Sequence, residues 1–205
     1  MLLPSHALAL TPCVSTPRVG CIRCWTGETS ATVVVKVPAA ICFSAYADIG
    51  NMPRWSPMLE SVVLVDPVAR RSEWALRVPR PLVMIAEATG FANLVRWEAT
   101  HDIEPGQTSS VLRWRSLSGV ENSGEAVFVE NAGDGVEATT VTLTMSYTLP
   151  DMAGRLVDTG LAQRFVRKTM SSTMEKFRTA LEAEHARSVL EAGVQETGVE
   201  EQRIG

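Results

Sequence analysis

The stretch "TTVTLTMSYTLPD", Thr139 to Asp151, decides the fold. Val141, Leu143, Met145 and Tyr147 occupy every second position, with Thr140, Thr142, Thr144 and Ser146 between them. Successive side chains of a strand point to opposite faces, so this segment is a strand with one apolar and one hydroxyl face. Pro150 ends it, and Asp151 is placed to cap a helix by accepting the first free N–H groups.

The helix predicted after it covers residues 152–186. Val166, Met170, Met174, Phe177 and Leu181 recur at helical spacing, and Val157, Leu161 and Phe165 extend the stripe upstream. Unbroken, it is about 50 Å long. A single apolar stripe has to lie against an apolar surface, and the sheet offers one.

Working backwards, the same alternation repeats. Trp74, Leu76 and Val78 alternate with Glu73, Ala75 and Arg77. Val95, Trp97 and Ala99 alternate with Leu94, Arg96 and Glu98. Leu112, Trp114 and Ser116 alternate with Arg113 and Arg115, and Ala126 and Phe128 with Glu125 and Val127. Turn residues separate the runs at Asp66-Pro67, Glu104-Pro105-Gly106, Gly119 to Asn122 and Gly133-Asp134-Gly135. Period two over so many segments predicts an antiparallel meander with one buried face. If Gly119 to Glu121 form a three-residue loop, Ser118 opposes Asn122 and Arg115 opposes Glu125.

Ahead of the meander, Ala31 to Val37 reads as a strand stopped by Pro38. A short helix follows, with Ile41, Ala45 and Ile49 on one face and Gly50 as its stop. Then comes "NMPRWSPMLESVVLVD", Asn51 to Asp66. Its second half, with Val62, Val63, Leu64 and Val65, is a strand. Its first half sets Trp55 between Pro53 and Pro57, with Met52 and Met58 around them, and predicts no regular structure. The whole order is α+β: a curved antiparallel sheet wrapped around a long C-terminal helix, with room for an internal cavity.

The chain has 205 residues, a formal charge of −4 and 45% hydrophobic residues, which suits one domain with loose ends. Five Trp stand against two Tyr. Each buried aromatic removes about 150–250 Å² from water, so these residues dominate the interior. No apolar run reaches the length of a spanning helix, and the acidic balance without a basic block points away from nucleic acid. The cysteines are Cys13, Cys21, Cys24 and Cys42. Cys42 beside Phe43 reads as a small core hydrophobe. Cys21-x-x-Cys24 lacks a second ligand pair, so neither a metal nor a cofactor is called for.

Residues 1–27 carry Arg18 and Arg23, several Ser and Thr, and no acid, which is the composition of an organelle transit peptide. Without them the formal charge is −6, since they hold two of 19 basic and none of 23 acidic residues. From Arg187 to Gly205 the Glu-rich sequence without aromatics reads as a disordered acidic tail. The domain is therefore expected at 28–186.

The segments "YADIGNMPRWSPMLESV", "RRSEWALRVPRPL", "VRWEATHDIEP", "LRWRSLSGVENSGEAVF" and "TLTMSYTLPD" resemble the START-like, polyketide cyclase/dehydrase superfamily. They are most similar to its coenzyme Q-binding group and the plastid and cyanobacterial relatives, over about residues 31–184. The resemblance implies a helix-grip fold, an internal cavity for an apolar ligand and, with the leader, a chloroplast location, the mitochondrion being the alternative. On that reading the cavity is lined by Trp55, Met58, Trp74, Leu76, Trp97, Trp114, Phe128, Met145, Tyr147, Leu161 and Phe165. Trp55 and Met58 would close one end, held by the two prolines, although Trp55 could equally fill core.

A portal is expected at "RVPRPLVMIA", Arg77 to Ala86, where Pro79 and Pro81 interrupt the strand. Leu82, Val83, Met84 and Ile85 there could touch a membrane surface with Arg77 and Arg80 beside them, or continue into the sheet as a short buried strand. Catalytic machinery is not evident. His101 shares the phase of Trp97 as a lone imidazole, and Arg113 and Arg115 share the polar phase with Glu125. The expected function is thus non-catalytic binding or transport of a prenylquinone, isoprenoid, pigment or lipid by a monomer. A cyclase or dehydratase acting on a polyketide- or isoprenoid-like substrate is the alternative, and a ligand-free interaction module is the third.

Overall fold

The computed structural model describes residues 24–78, 93–106, 109–131, 137–150 and 161–201. Seven strands form one antiparallel sheet: β1 (Cys24–Val35), β2 (Leu59–Asp66), β3 (Arg71–Arg77), β4 (Leu94–Glu104), β5 (Ser109–Ser118), β6 (Asn122–Asn131) and β7 (Ala138–Pro150). Their order is β1-β7-β6-β5-β4-β3-β2, so the chain meanders from β2 to β7 and β1 closes on the last strand. Helix α1 (Ala39–Ala47) and a 3-10 turn (Ile49–Arg54) link β1 to β2, and α2 (Leu161–Glu201) follows β7. This is the α+β helix-grip architecture that the alternation predicts.

One face of the sheet carries the core. Val33, Val35, Leu112, Ala126, Phe128, Val141 and Leu143 are buried, as are Met170, Met174, Phe177 and Leu181 along one stripe of α2. Phe128 meets Phe43 and Tyr46 edge to face at 5.5 and 5.4 Å, and Phe177 meets Tyr46 and Trp55 at 5.3 and 5.1 Å. The Cys42 thiol is buried here, and burial pushes its pKa up to about 12, so it is an inert packing group. The outer face carries hydroxyl pairs across β1 and β7: Thr26 with Thr148, Ser30 with Thr144 and Thr32 with Thr142, at 3.5, 3.3 and 3.1 Å.

Six readings of the sequence differ from the structure. The first strand starts at Cys24, paired with Pro150, so the boundary drawn after residue 27 falls inside β1. The Trp55 segment is not irregular. Residues Ile49–Arg54 form a 3-10 turn in which Trp55 and Ser56 both donate to the Met52 carbonyl, and Pro53 sits inside without needing an N–H. Gly50 therefore lies within this turn and is not a helix stop. On α1 the buried residues are Cys42, Phe43 and Tyr46, while Ile41 is exposed, because docking on β6 is led by the aromatic rings.

Helix α2 runs to Glu201, beyond the Arg187 boundary of the expected disordered tail. Glu is the commonest residue from Arg187 to Glu201 and, with Ala, Leu, Gln and Arg, a good helix former, so the stretch continues the helix despite Gly193 and Gly198. The β5–β6 hairpin is shifted by two: Arg115 opposes Ser123, and Glu125 opposes Arg113. The Asn122 N–H donates to Ser116 Oγ at 2.9 Å, and Ser118 pairs with Glu98 of β4, which leaves a longer loop with Gly119 at φ +76°. The proposed portal Leu82, Val83, Met84 and Ile85, and Val157 of the helical stripe, lie outside the described residues.

Candidate ligand site

The register divides the inner face into two halves. Row by row across β1, β7, β6, β5 and β4, one half reads Ala31, Leu143, Ala126, Leu112, Ile103, and on β1, β7, β6 and β5 the next reads Val33, Val141, Phe128, Ser110. That half is the packed apolar core. Moving the other way, the next row is Thr29, Met145, Gly124, Trp114, His101. Beyond it Gly27, Tyr147 and Asn122 lie in register on β1, β7 and β6, and Ser116, Ala99 and Ser72 on β5, β4 and β3. Trp97 and Trp74 pair one rung further on. This second half mixes aromatic rings with buried polar atoms, and it is the candidate site.

Its aromatic wall is ordered. Trp74 stacks on Trp97 with ring centres 5.7 Å apart and on His101 at 5.8 Å. Ser72, fully buried, accepts a hydrogen bond from Trp74 Nε1 at 2.7 Å, and its Oγ lies 3.3 Å from His101 Nδ1. His101 Nδ1 also lies 3.3 Å from the Arg70 carbonyl. Trp114 lies over Gly124 and donates from Nε1 to Asn122 Oδ1 at 3.1 Å, while Asn122 Nδ2 donates to the Val120 carbonyl at 2.8 Å. Two buried polar atoms, Trp97 Nε1 and Thr29 Oγ1, have no hydrogen-bonding partner among the described residues. A buried donor left unmade costs roughly 1–3 kcal/mol.

The expected lining residues separate along this division. Trp74, Trp97, Trp114, Met145 and Tyr147 belong to the polar-aromatic half. Leu76, half-buried, opposes Val95 on β4 and Leu59 on β2, and Met58 is half-buried just ahead of β2. Phe128 and Trp55 sit in the apolar half, Trp55 closing on Phe177. Phe165 is half-buried on α2, and Leu161 is the first residue of that helix. Ser72, Asn122 and Thr29 were missed. Ser72 lies two residues before Trp74, so the alternation itself placed it inward.

Described residues line at least two concavities. One, of about 280 Å³, lies between α1, the 3-10 turn and α2, floored by Trp55, Phe177 and Leu181 and rimmed by the Arg54–Glu184 ion pair. The other, of about 550 Å³, is lined mainly by outward-phase residues such as Thr100, Arg113, Arg115, Ser123, Thr144 and Ser146. It is the larger, and His101, Trp114 and Gly124 of the inward row also reach it, but most of its wall is hydroxyl and charged groups, which suit an apolar ligand poorly. Arg113 there is held by Glu104 and Glu125 at 2.7 and 3.3 Å, exposed pairs that add little stability. No group of three metal-ligating side chains occurs among the described residues.

Burial holds the His101 imidazole below its ordinary pKa of 6.5, against a smaller upward pull from the Arg70 carbonyl. The folded protein therefore keeps the ring neutral where the unfolded chain protonates it, so stability present above about pH 6.5 falls as pH drops through that value. Melting temperatures of the wild type and His101→Gln between pH 7.5 and 5 test this. The wild type is expected to lose more stability on acidification, by at most about 1.4 kcal/mol per pH unit. Parallel curves would mean that the ring is protonated as freely when folded.

A family model described as "Polyketide cyclase / dehydrase and lipid transport" matches residues 26–182. Among solved structures, a protein from Deinococcus radiodurans is 23% identical, with 77% of this chain and 98% of that one covered and a TM-score of 0.52. A protein from Thermus thermophilus is 20% identical over 77% of this chain and 98% of its own, with a TM-score of 0.55. The Zhui aromatase/cyclase from Streptomyces is 19% identical over 76% and 96%, with a TM-score of 0.49. At these identities the likeness is one of fold. A comparison with curated proteins gives no match.

Proposed function

Because the chain belongs to the polyketide cyclase / dehydrase and lipid transport family, we propose that it binds and carries a hydrophobic small molecule without transforming it. The ligand is a prenylquinone, isoprenoid, pigment or lipid, and within the family the coenzyme Q-binding group is the subgroup this reading favours. The observation that carries it is the divided inner face. An apolar half fixes α2 to the sheet, while the other half joins aromatic surface to buried polar atoms, the composition of small-molecule sites. Among the described residues, the inward polar groups there are Thr29, Ser72, His101, Ser116, Asn122 and Tyr147 with the tryptophan N–H groups, and none is a carboxylate, Lys or Arg. Among these groups, acid–base turnover would have to rest on the His101 imidazole.

Native mass spectrometry of the protein purified from its own organism is expected to show a bound apolar molecule that delipidation removes. Repeated isolation of ligand-free protein would favour the interaction module. One observation supports the second reading, a cyclase or dehydratase: Ser72 and His101 are buried in contact on the inner face. Chemical change of the isolated ligand, lost in His101→Gln, would establish it.

We also propose that residues 1–23, which precede β1, direct the protein to an organelle, the plastid first and the mitochondrion second. Fusion of that segment to a fluorescent protein is expected to give an organellar signal, and a diffuse cytosolic one would remove the assignment.

A further inference from the structure

We propose that the turn between β2 and β3, Asp66 to Arg70, is a foot that inserts into the surface of an electrically neutral lipid bilayer. The described residues expose ten large apolar side chains, and four of them gather here within six positions. Val63, Leu64 and Val65 are about half exposed, and Val68 at the turn is 96% exposed. Single exposed apolar residues are ordinary, whereas a cluster of them marks a contact surface.

The backbone of the turn is prepared for an apolar medium, where an N–H without a partner is costly. Pro67 has no N–H, and those of Val68 and Ala69 both donate to Asp66 Oδ1 at 2.9 Å. The Arg70 carbonyl accepts from the His101 N–H at 3.0 Å. Charge is answered as well. Arg70 lies 3.8 Å from Asp102, and Arg71 pairs with Glu98. The foot therefore has no excess of cations with which to seek anionic headgroups.

A second copy of the chain fits this surface less well. Strand β2 is the last of the sheet, but its ladder with β3 is interrupted at Glu60 and again at Val65. An interrupted edge is a poor template for another strand. A protruding valine also needs a matched hollow in a rigid partner, whereas lipid chains flow around it. The foot adjoins the candidate ligand site: His101 touches both Arg70 and Ser72, two residues further along β3. Docking here would bring that site against the bilayer. This use in delivery rests on the carrier reading, while the docking stands on the turn itself.

The test floats the full chain with phosphatidylcholine vesicles through a density step. The wild type is expected to rise with them. Val68→Asp changes a side chain that lies almost wholly in solvent, so it should leave the fold intact and weaken vesicle binding about tenfold or more. Val68→Phe is expected to strengthen binding about fivefold, a gain that damage to the fold would not produce. Adding phosphatidylglycerol to the vesicles should change binding by about twofold or less. A wild type that stays down, a Val68→Asp variant that floats as well as the wild type, or flotation that requires phosphatidylglycerol would overturn the proposal. So would a dimer in solution that Val68→Asp dissolves without any flotation, which would give the turn to a second copy. Native mass spectrometry keeps the two readings apart. Protein that floats but carries no apolar molecule would remove the carrier reading and leave the foot, and protein that carries one but does not float would do the reverse.

Discussion

Truncating Phe177 to alanine is expected to cost about 3–5 kcal/mol of folding free energy, the range for removing a fully buried ring. Phe177 has no exposed surface and touches Tyr46 of α1 and Trp55 after the 3-10 turn edge to face. Each such aromatic pair adds about 0.5–1.5 kcal/mol beyond its buried area. The ring therefore joins three elements that share no strand with one another: α1, the turn and α2. Domains of ordinary stability hold only about 5–15 kcal/mol in total, so Phe177→Ala should fold marginally. Urea unfolding should show a much lower midpoint with an unchanged slope. A loss of less than about 1 kcal/mol would mean that the helix is held chiefly by its methionines and that the site has collapsed around the gap.

The second large effect is expected at Gly124. A Cβ at this position would stand 2.3 Å from the Thr144 carbonyl oxygen and 2.3 and 2.4 Å from two ring carbons of Trp114. Gly124→Val has to displace both backbone and ring, and overpacking of this kind costs about 1–3 kcal/mol or more. It also lifts Trp114 away from Asn122, removing a hydrogen bond of the candidate site. Trp114→Leu made together with Gly124→Val should recover part of the loss, because it clears the ring but leaves the Thr144 carbonyl in place. The double-mutant cycle is expected to show coupling of about 1 kcal/mol, and strict additivity would place the strain on the backbone alone.

How far the residues announced the structure follows from which forces are local. The alternation in β3 to β7 is set by the period of a strand, so the inward phase of Trp74, Trp97, Trp114, Phe128 and Met145 was legible. So was the Met170, Met174, Phe177, Leu181 stripe. The β5–β6 register was not, because it is fixed by a side chain, Ser116, accepting a backbone N–H from the opposite strand. The Trp55 turn was misread because proline rules describe α-helix and sheet, whereas a 3-10 turn closing on Met52 tolerates Pro53. Within the site, rings were legible and the small polar side chains were not. Ser72, Thr29 and Asn122 are polar residues facing inward, and alternation reads polar as outward unless the phase is counted from a neighbouring tryptophan.

The closing of β1 on β7 also has a consequence in time. Thr26 and Thr148, which meet across those strands, are 122 positions apart in the chain. At about 5–20 residues per second of synthesis, the first strand emerges several seconds before β7, its one sheet neighbour among the described residues, exists. Until then its Val33 and Val35, buried at the end, are open to any passing edge. Pairing of such long range also slows the search for the native state once the chain is complete. The nascent chain is thus at its most vulnerable to aggregation while the meander grows, and a holding chaperone that releases only after β7 has emerged would suit it best.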